Sequence, residues 1–238
     1  MEIFYYENQC GKVDAHVLEE LSVSSLFDQP KTLAASIFSG KCYPWEILPD
    51  LSAFICALGP TLDPERFEHA GEFIWIARSA QVAASASLAG PLIIDEDAQI
   101  RHCAFIRGSA VVGKEAVVGN STELKNALLF DRVQVPHYNY VGDSVLGYCA
   151  HMGAGAITSN VKSDKSQVCI SAAGQKIDTG RKKVGAMLGN HVEVGCGSVL
   201  NPGSVIGKYS RIYPLCVVRG FIPPNHIYKN TGELAEQR

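Results

Sequence analysis

Two short stretches concentrate the side chains that could do acid–base or anion chemistry: Asn120-Ser121-Thr122-Glu123-Leu124-Lys125 and Pro136-His137-Tyr138-Asn139-Tyr140-Val141-Gly142-Asp143. His137 carries an imidazole that titrates near neutral pH, so it can take a proton from a protonated nucleophile such as an amine. Only His151 nearby offers a comparable unperturbed pKa. Glu123 stands fourteen positions ahead of His137. If each coil of the chain has three six-residue sides, that spacing lets Glu123 hold the imidazolium. Lys125 and His137, twelve positions apart, then fall on neighbouring sides of a coil or across a corner. Arg107 precedes Lys125 by eighteen positions and stacks one coil below it, about 5 Å away along the axis. Two stacked cations with no carboxylate between them are costly unless an anion joins them, which points to a phosphate or carboxylate ligand.

The coil itself is written in a six-residue period. Ile76, Val82, Leu88, Ile94, Ile100, Ile106, Val112, Val118 and Leu124 are all aliphatic, and a second run steps from Leu188 through Val194, Leu200, Ile206 and Ile212 to Val218. Between them the frame slips but continues at Leu129, Val135, Val141, Leu146 and Met152. Two residues before each aliphatic there is usually a small side chain, such as Ala98, Ala104, Ala110, Thr122, Ser198 or Ser204. Residues two apart on a strand share a face, so the small and the large side chain both point inward. Glycine directly follows many repeat aliphatics (Gly113, Gly119, Gly153, Gly195), which suits a backbone entering a corner. A helix needs a 3.6-residue period, which six does not supply. Short strands joined by sharp corners do, and stacked coils bury a core that no single repeat could. A β-sandwich would not place its turns every six residues.

Composition is that of a globular chain. Of 238 residues, 47% are hydrophobic and 19% charged, which leaves no case for disorder. A net charge of −3 disfavours a general nucleic-acid binder. No apolar run is long enough to predict a membrane helix, and residues 1–7 lack the basic and apolar segments of a signal peptide. The eight cysteines form no C-x-x-C pair, so reduced structural thiols in a cytoplasmic setting are expected.

Residues 1–72 carry no hexad. Helices are predicted within 14–26, over 30–35 with Pro30 in the first turn, and within 43–58 broken at Pro49, giving a small helical N-terminal region. The coils are predicted over residues 73–222. A long loop, 158–183, interrupts them and is rich in basic residues: Lys162, Lys165, Lys176, Arg181, Lys182 and Lys183. A loop of that length in a compact fold is more often functional than not. A polar tail, 223–238, begins at Pro223-Pro224.

The stretch from Arg107 to Asn160 resembles the C-terminal acetyltransferase domain of the bifunctional N-acetylglucosamine-1-phosphate uridyltransferases and their archaeal sugar-phosphate nucleotidyltransferase relatives. The residues that carry the resemblance are Gly119-Asn120, Glu123-Leu124-Lys125, His137, Tyr140, Gly142-Asp143 and Gly153-Ala154-Gly155-Ala156-Ile157-Thr158-Ser159-Asn160. Residues 181–186 are similar to the end of the long loop in the archaeal group. The resemblance covers roughly residues 73–222 and implies an all-β solenoid, a left-handed parallel β-helix. It implies transfer of acetyl from acetyl-CoA to the amine of an amino-sugar 1-phosphate of the glucosamine-1-phosphate kind, without a metal. It also implies a homotrimer with sites in the clefts between subunits. By the same resemblance His137 is the general base and Glu123 its partner. Arg107, Lys125, Tyr140 and Asn160 contact the sugar phosphate. Ala154 meets coenzyme A through its backbone, and Cys196 stands where the family has a serine near the thioester.

The departures are specific. His151 occupies the position of a sugar-contacting asparagine, and Lys165 is the nearest match to the family's loop lysine. Residues 1–72 lack the Gly-rich phosphate loop of a nucleotidyltransferase, so uridylyl transfer is not expected, although residues 43–48 resemble the segment joining the two domains in the archaeal relatives. Two other readings stay open. Zinc enzymes of this fold use three histidines, two of them five positions apart. Here the steps from His102 to His137, His151 and His191 are thirty-five, fourteen and forty positions. A non-catalytic sugar-phosphate or nucleotide-sugar binding protein could keep the pocket and lose turnover.

Overall fold

The computed structural model describes residues 19–28, 31–230 and 232–237. From Phe67 onward the chain is a left-handed parallel β-helix of about nine turns, entered through an antiparallel hairpin, Phe67–Gly71 with Ile74–Ala77. Each coil has three faces. Face 1 stacks Ile74–Ala77, Leu92–Ile94, Ala110–Val112, the ends of Glu123–Leu129 and Tyr140–Leu146, Ala186–Leu188 and Ser204–Ile206. Face 2 stacks Ser87–Ala89, Phe105–Arg107, the beginnings of the same two long strands, Ile157–Thr158, Val199–Leu200 and Val217–Val218. Face 3 stacks Gln81–Val82, Gln99–Ile100, Val117–Asn120, Gln134–His137, His151–Met152, Glu193–Val194 and Arg211–Ile212.

The hexad residues line the interior. Ile94, Ile106, Val112, Val118, Leu124, Leu188, Leu200 and Ile206 are fully buried, as are their small partners Ala98, Ala110, Ala116, Thr122, Ser198 and Ser204. Val82, on the first complete coil, stays exposed. The glycines after the repeat aliphatics have a different reason from the one the sequence suggests: Gly113, Gly119, Gly153 and Gly195 do not have positive φ. They are places where the next coil passes too close for a Cβ. A Cβ on Gly153 would meet the Cys196 amide nitrogen at 2.7 Å, and one on Gly119 would collide with the Pro136 carbonyl. The left-handed corner positions are held by other residues, among them Cys103, Ser121, Tyr138, Gly155 and Gly197, with φ between 51° and 69°.

Face 1 is roofed. Its outward side chains Ile93, Val111, Leu128, Val145, Met187 and Val205 are as buried as its inward ones. The helix Leu51–Leu58 lies against Ala110–Val112, and the 3-10 turn Pro44–Ile47 lies against Tyr140–Leu146. Phe27 and Phe38 close on Phe130 with ring centroids 5.0 and 5.9 Å from it. Polar ties fix this cover. Asn190 donates through Nδ2 to Asp28 and through its amide to the Leu26 carbonyl, and the Asp131 amide donates to the Lys31 carbonyl. Of the predicted helices, residues 14–18 and Pro30 lie outside the described residues. The remainder resolves into a short helix Val23–Leu26 with Ser22 as its cap, 3-10 turns at Ala35–Phe38 and Pro44–Ile47, and the helix Leu51–Leu58.

Two extents differ from the sequence reading. The tail expected from residue 223 continues the solenoid: His226–Tyr228 pairs in parallel with Arg211–Ile212 and then antiparallel with Leu234–Glu236. The interrupting loop contains a hairpin, Cys169–Ala172 with Gln175–Asp178, which buries Val168, Ile170 and Ile177 and lies against Phe221–Ile222. This half of the loop extends the roof.

Candidate active site

The corner leading from face 3 into face 2 collects most of the predicted residues. Strand pairing puts His137 directly above Asn120, and the next coils follow through the backbone: Gly155 N–H donates to the His137 carbonyl at 3.0 Å, and Gly197 N–H to the Ala154 carbonyl at 2.8 Å. His137, Ala154 and Cys196 therefore stand in one column. The His137 side chain is exposed and makes no hydrogen bond among the described residues. Its backbone is fixed by buried Asn139. Asn139 accepts from the His137 amide through Oδ1 (3.1 Å) and donates through Nδ2 to the carbonyls of Gly153 (2.8 Å) and Ala156 (3.0 Å).

Around the corner, face 2 carries an ionic network. Arg107 donates from Nε to Glu123 at 2.6 Å, and Lys125 Nζ lies 3.0 and 2.9 Å from the two carboxylate oxygens of Asp143. Asp143, 1% exposed, also accepts from Asn126 Nδ2 and Asn160 Nδ2. Asn160 Nδ2 is shared with the Tyr140 hydroxyl at 3.2 Å. Burial pushes the Tyr140 phenol above its ordinary value, and the Asp143 charge adds to this. The Glu123 carboxylate holds the Arg107 guanidinium above its ordinary value.

This geometry corrects two expectations. Arg107 and Lys125 are one coil apart, but each has its own carboxylate, so no uncompensated cation pair exists. Glu123 is engaged by Arg107 and does not orient His137. What sequence reasoning missed is the role of Asp143. An eighteen-position step from Lys125 points to this acid only approximately: the register sets Lys125 opposite Gly142, and its side chain reaches Asp143 one position further along the coil above.

Two predicted residues lie elsewhere. His151 is in register with Gln134, three positions back along face 3 from the His137 column, and its Nδ1 lies 2.8 Å from Glu193. It borders a depression of about 580 Å³ that also involves Glu115, Arg132 and Cys149. Lys165 is exposed in a turn closed by its amide on the Lys162 carbonyl. Among the described residues, no group of three or more His, Cys, Asp or Glu side chains is gathered to hold a metal, and no helix is long and apolar enough to cross a membrane.

Comparison with known proteins adds the following. The bifunctional sugar-1-phosphate nucleotidylyltransferase/acetyltransferase of Sulfurisphaera tokodaii is 32% identical over 158 residues, covering 59% of this chain and 39% of the relative. The bifunctional protein GlmU of Methanococcus maripaludis strain C5 is 32% identical over 131 residues, covering 55% of this chain and 32% of the relative. The chain thus spans well under half the length of these curated relatives. Among solved structures, AntD, an N-acyltransferase from Bacillus cereus in complex with dTDP-4-amino-4,6-dideoxyglucose and coenzyme A, aligns at 14% identity and TM-score 0.39, over 70% of this chain and 81% of that one. GDP-perosamine N-acetyl transferase from Caulobacter crescentus aligns at 16% identity and TM-score 0.32, over 68% and 56%. Residues 88–206, half of the chain, match the model of the GMPPB C-terminal domain, and the chain belongs to that family.

Proposed function

We propose that this chain transfers the acetyl group of acetyl-CoA to the amine of an amino-sugar 1-phosphate of the glucosamine-1-phosphate class. The observation that carries the reading is the corner itself. An exposed imidazole without a hydrogen-bond partner among the described residues, His137, stands beside a face whose polar side chains are held in fixed places by a buried carboxylate. His137 takes the proton of the sugar ammonium. The free amine attacks the thioester carbonyl, and the tetrahedral intermediate loses a second nitrogen proton and expels the coenzyme A thiolate; one of the two protons passes to that sulfur and the other leaves to solvent. The terminal nitrogens of Arg107 make no further hydrogen bond among the described residues, so they are available to a phosphate beside the Glu123 contact. Lys125, Tyr140 and Asn160 line the sugar side. The Ala154 and Cys196 column borders the thioester, and Lys165 on its turn reaches the distal part of coenzyme A. The named activities of the bifunctional relatives support this reading.

The proposal includes a homotrimer. Tyr213, Leu215 and Val217 expose large apolar surface at and near face 2, which favours a subunit contact there. In such an assembly His151, on face 3 but away from the ionic network of face 2, serves a neighbouring subunit's site. A cytoplasmic location is in keeping with the described cysteines, which are free thiols.

A second reading, a sugar-phosphate-binding protein without turnover, is favoured by one observation: Glu123 is engaged by Arg107 and leaves His137 unoriented. Thiol release from acetyl-CoA against a panel of amino sugars, amino-sugar phosphates and nucleotide-linked amino sugars separates the two. Release that depends on a phosphorylated amino sugar supports transfer. Binding of the same sugars without thiol release supports the second reading.

A further inference from the structure

We propose that Cys103 is a modification site, a thiol activated by His102 that exchanges with low-molecular-weight disulfides. Cys103 occupies a left-handed corner position (φ 56°) and is exposed. Its Sγ lies 3.2 Å from His102 Nε2, and His102 Nδ1 lies 2.7 Å from Ser85 Oγ on the coil below. The Cys103 amide donates to the same Ser85 oxygen at 3.2 Å, and the His102 carbonyl accepts from Asn120 Nδ2 at 3.1 Å. Ser85 thus fixes both the imidazole and the backbone that carries the sulfur. Imidazole Nδ1–H donating to Ser85 leaves Nε2 as the base that faces the thiol.

A separate observation supplies room for the reagent. Beside the pair lies an open depression of about 410 Å³, bordered by Gln81, Gln99, Arg101 and His102. The Arg101 guanidinium, bonded only to Gln99 among the described residues, gives it positive charge suited to an acidic disulfide. The thiols of Cys42 and Cys196 are also exposed, and neither is hydrogen-bonded to an imidazole among the described residues.

The exchange balances within these groups. His102 Nε2 accepts the thiol proton, and Cys103 Sγ attacks one sulfur of the disulfide. The S–S bond breaks, and the departing thiolate takes the proton back from His102. The products are a mixed disulfide at Cys103 and one free thiol, and excess thiol reverses the step. The site is independent of the acetyl-transfer reading, since neither Cys103, His102 nor Ser85 takes part in it.

The test exposes the full chain to excess glutathione disulfide and follows each cysteine-containing peptide by mass spectrometry over time. Cys103 is expected to form the mixed disulfide at least about tenfold faster than Cys42 and Cys196. His102→Ala should bring Cys103 down to the Cys42 rate and leave Cys42 unchanged, and Ser85→Ala should give a smaller drop. His102→Gln serves if the alanine variant fails to fold by circular dichroism. Reaction of wild-type Cys103 within about twofold of Cys42, or a Cys103 rate that the His102 variant does not alter, overturns the proposal.

Discussion

Removing the Asn139 side chain should both destabilise the solenoid and release the corner that presents His137. Asn139 is 2% exposed, and its amide makes three hydrogen bonds, to the His137 amide and to the Gly153 and Ala156 carbonyls. Its orientation is fixed, because the flipped amide would set an oxygen against two carbonyls. At about 0.5–1.5 kcal/mol net per bond, Asn139→Ala loses roughly 1.5–4.5 kcal/mol. The upper half applies, near ~3 kcal/mol, because Gly153 and Ala156 are buried and their carbonyls lose a donor without gaining water. With a urea m-value of about 3 kcal/mol/M, the midpoint should fall by about 1 M. Asn139→Asp, nearly isosteric, should be at least as damaging at neutral pH, since it turns a carboxylate oxygen toward the same two carbonyls. A midpoint shift below about 0.2 M for Asn139→Ala, or wild-type stability for Asn139→Asp, would refute this account of the corner.

Other outcomes follow from named contacts. Burial raises the Asp95 carboxyl to about 6, with repulsion from Asp131 adding to it, and Asp95 is 7% exposed. The folded state therefore holds this proton more tightly than the unfolded chain, so stability falls as pH rises from about 4 to about 6, by about 3 kcal/mol if Asp95 acts alone. Asp95→Asn keeps an acceptor for the Glu96 amide and should remove that slope and raise the neutral-pH urea midpoint. Phe130→Ala empties the centre of the Phe27–Phe38–Phe130 cluster and should cost about 3–5 kcal/mol, with proteolysis appearing first in residues 31–62. Arg107→Ala should raise KM for a phosphorylated acceptor roughly 10- to 150-fold and alter an unphosphorylated one far less, and equal losses would sink the phosphate assignment. Lys125→Ala should destabilise more than Arg107→Ala in urea, because it strands the buried Asp143 carboxylate while Glu123 can turn to water.

The coil is legible in the sequence because a hexad is a statement about burial, and burial is what a solenoid repeats. Spacing also puts Arg107 one coil below Lys125, as the strand pairing has it. Spacing gives the register of Cα atoms and not the direction of long side chains, and the Glu123 assignment fails for that reason. Its carboxylate reaches diagonally to Arg107 on the coil below and not around the corner to His137. The roof is also written in the sequence. One position before a repeat aliphatic, at intervals of seventeen or eighteen positions, Ile93, Val111, Leu128 and Val145 are aliphatic too, and an outward aliphatic column requires a cover. What covers it is not legible, because the N-terminal segments are short and aperiodic and gain their conformation from docking.

The central claim is that His137 is the base in acetyl transfer, and its direct test is steady-state thiol release by wild type and His137→Ala with glucosamine 1-phosphate as acceptor. Wild type is expected to turn over, and His137→Ala to lower kcat by about 10²–10⁴ while KM for acetyl-CoA stays nearly unchanged. A His137→Ala variant retaining more than about a tenth of wild-type kcat while His151→Ala is inactive would contradict it and move the role to His151 beside Glu193.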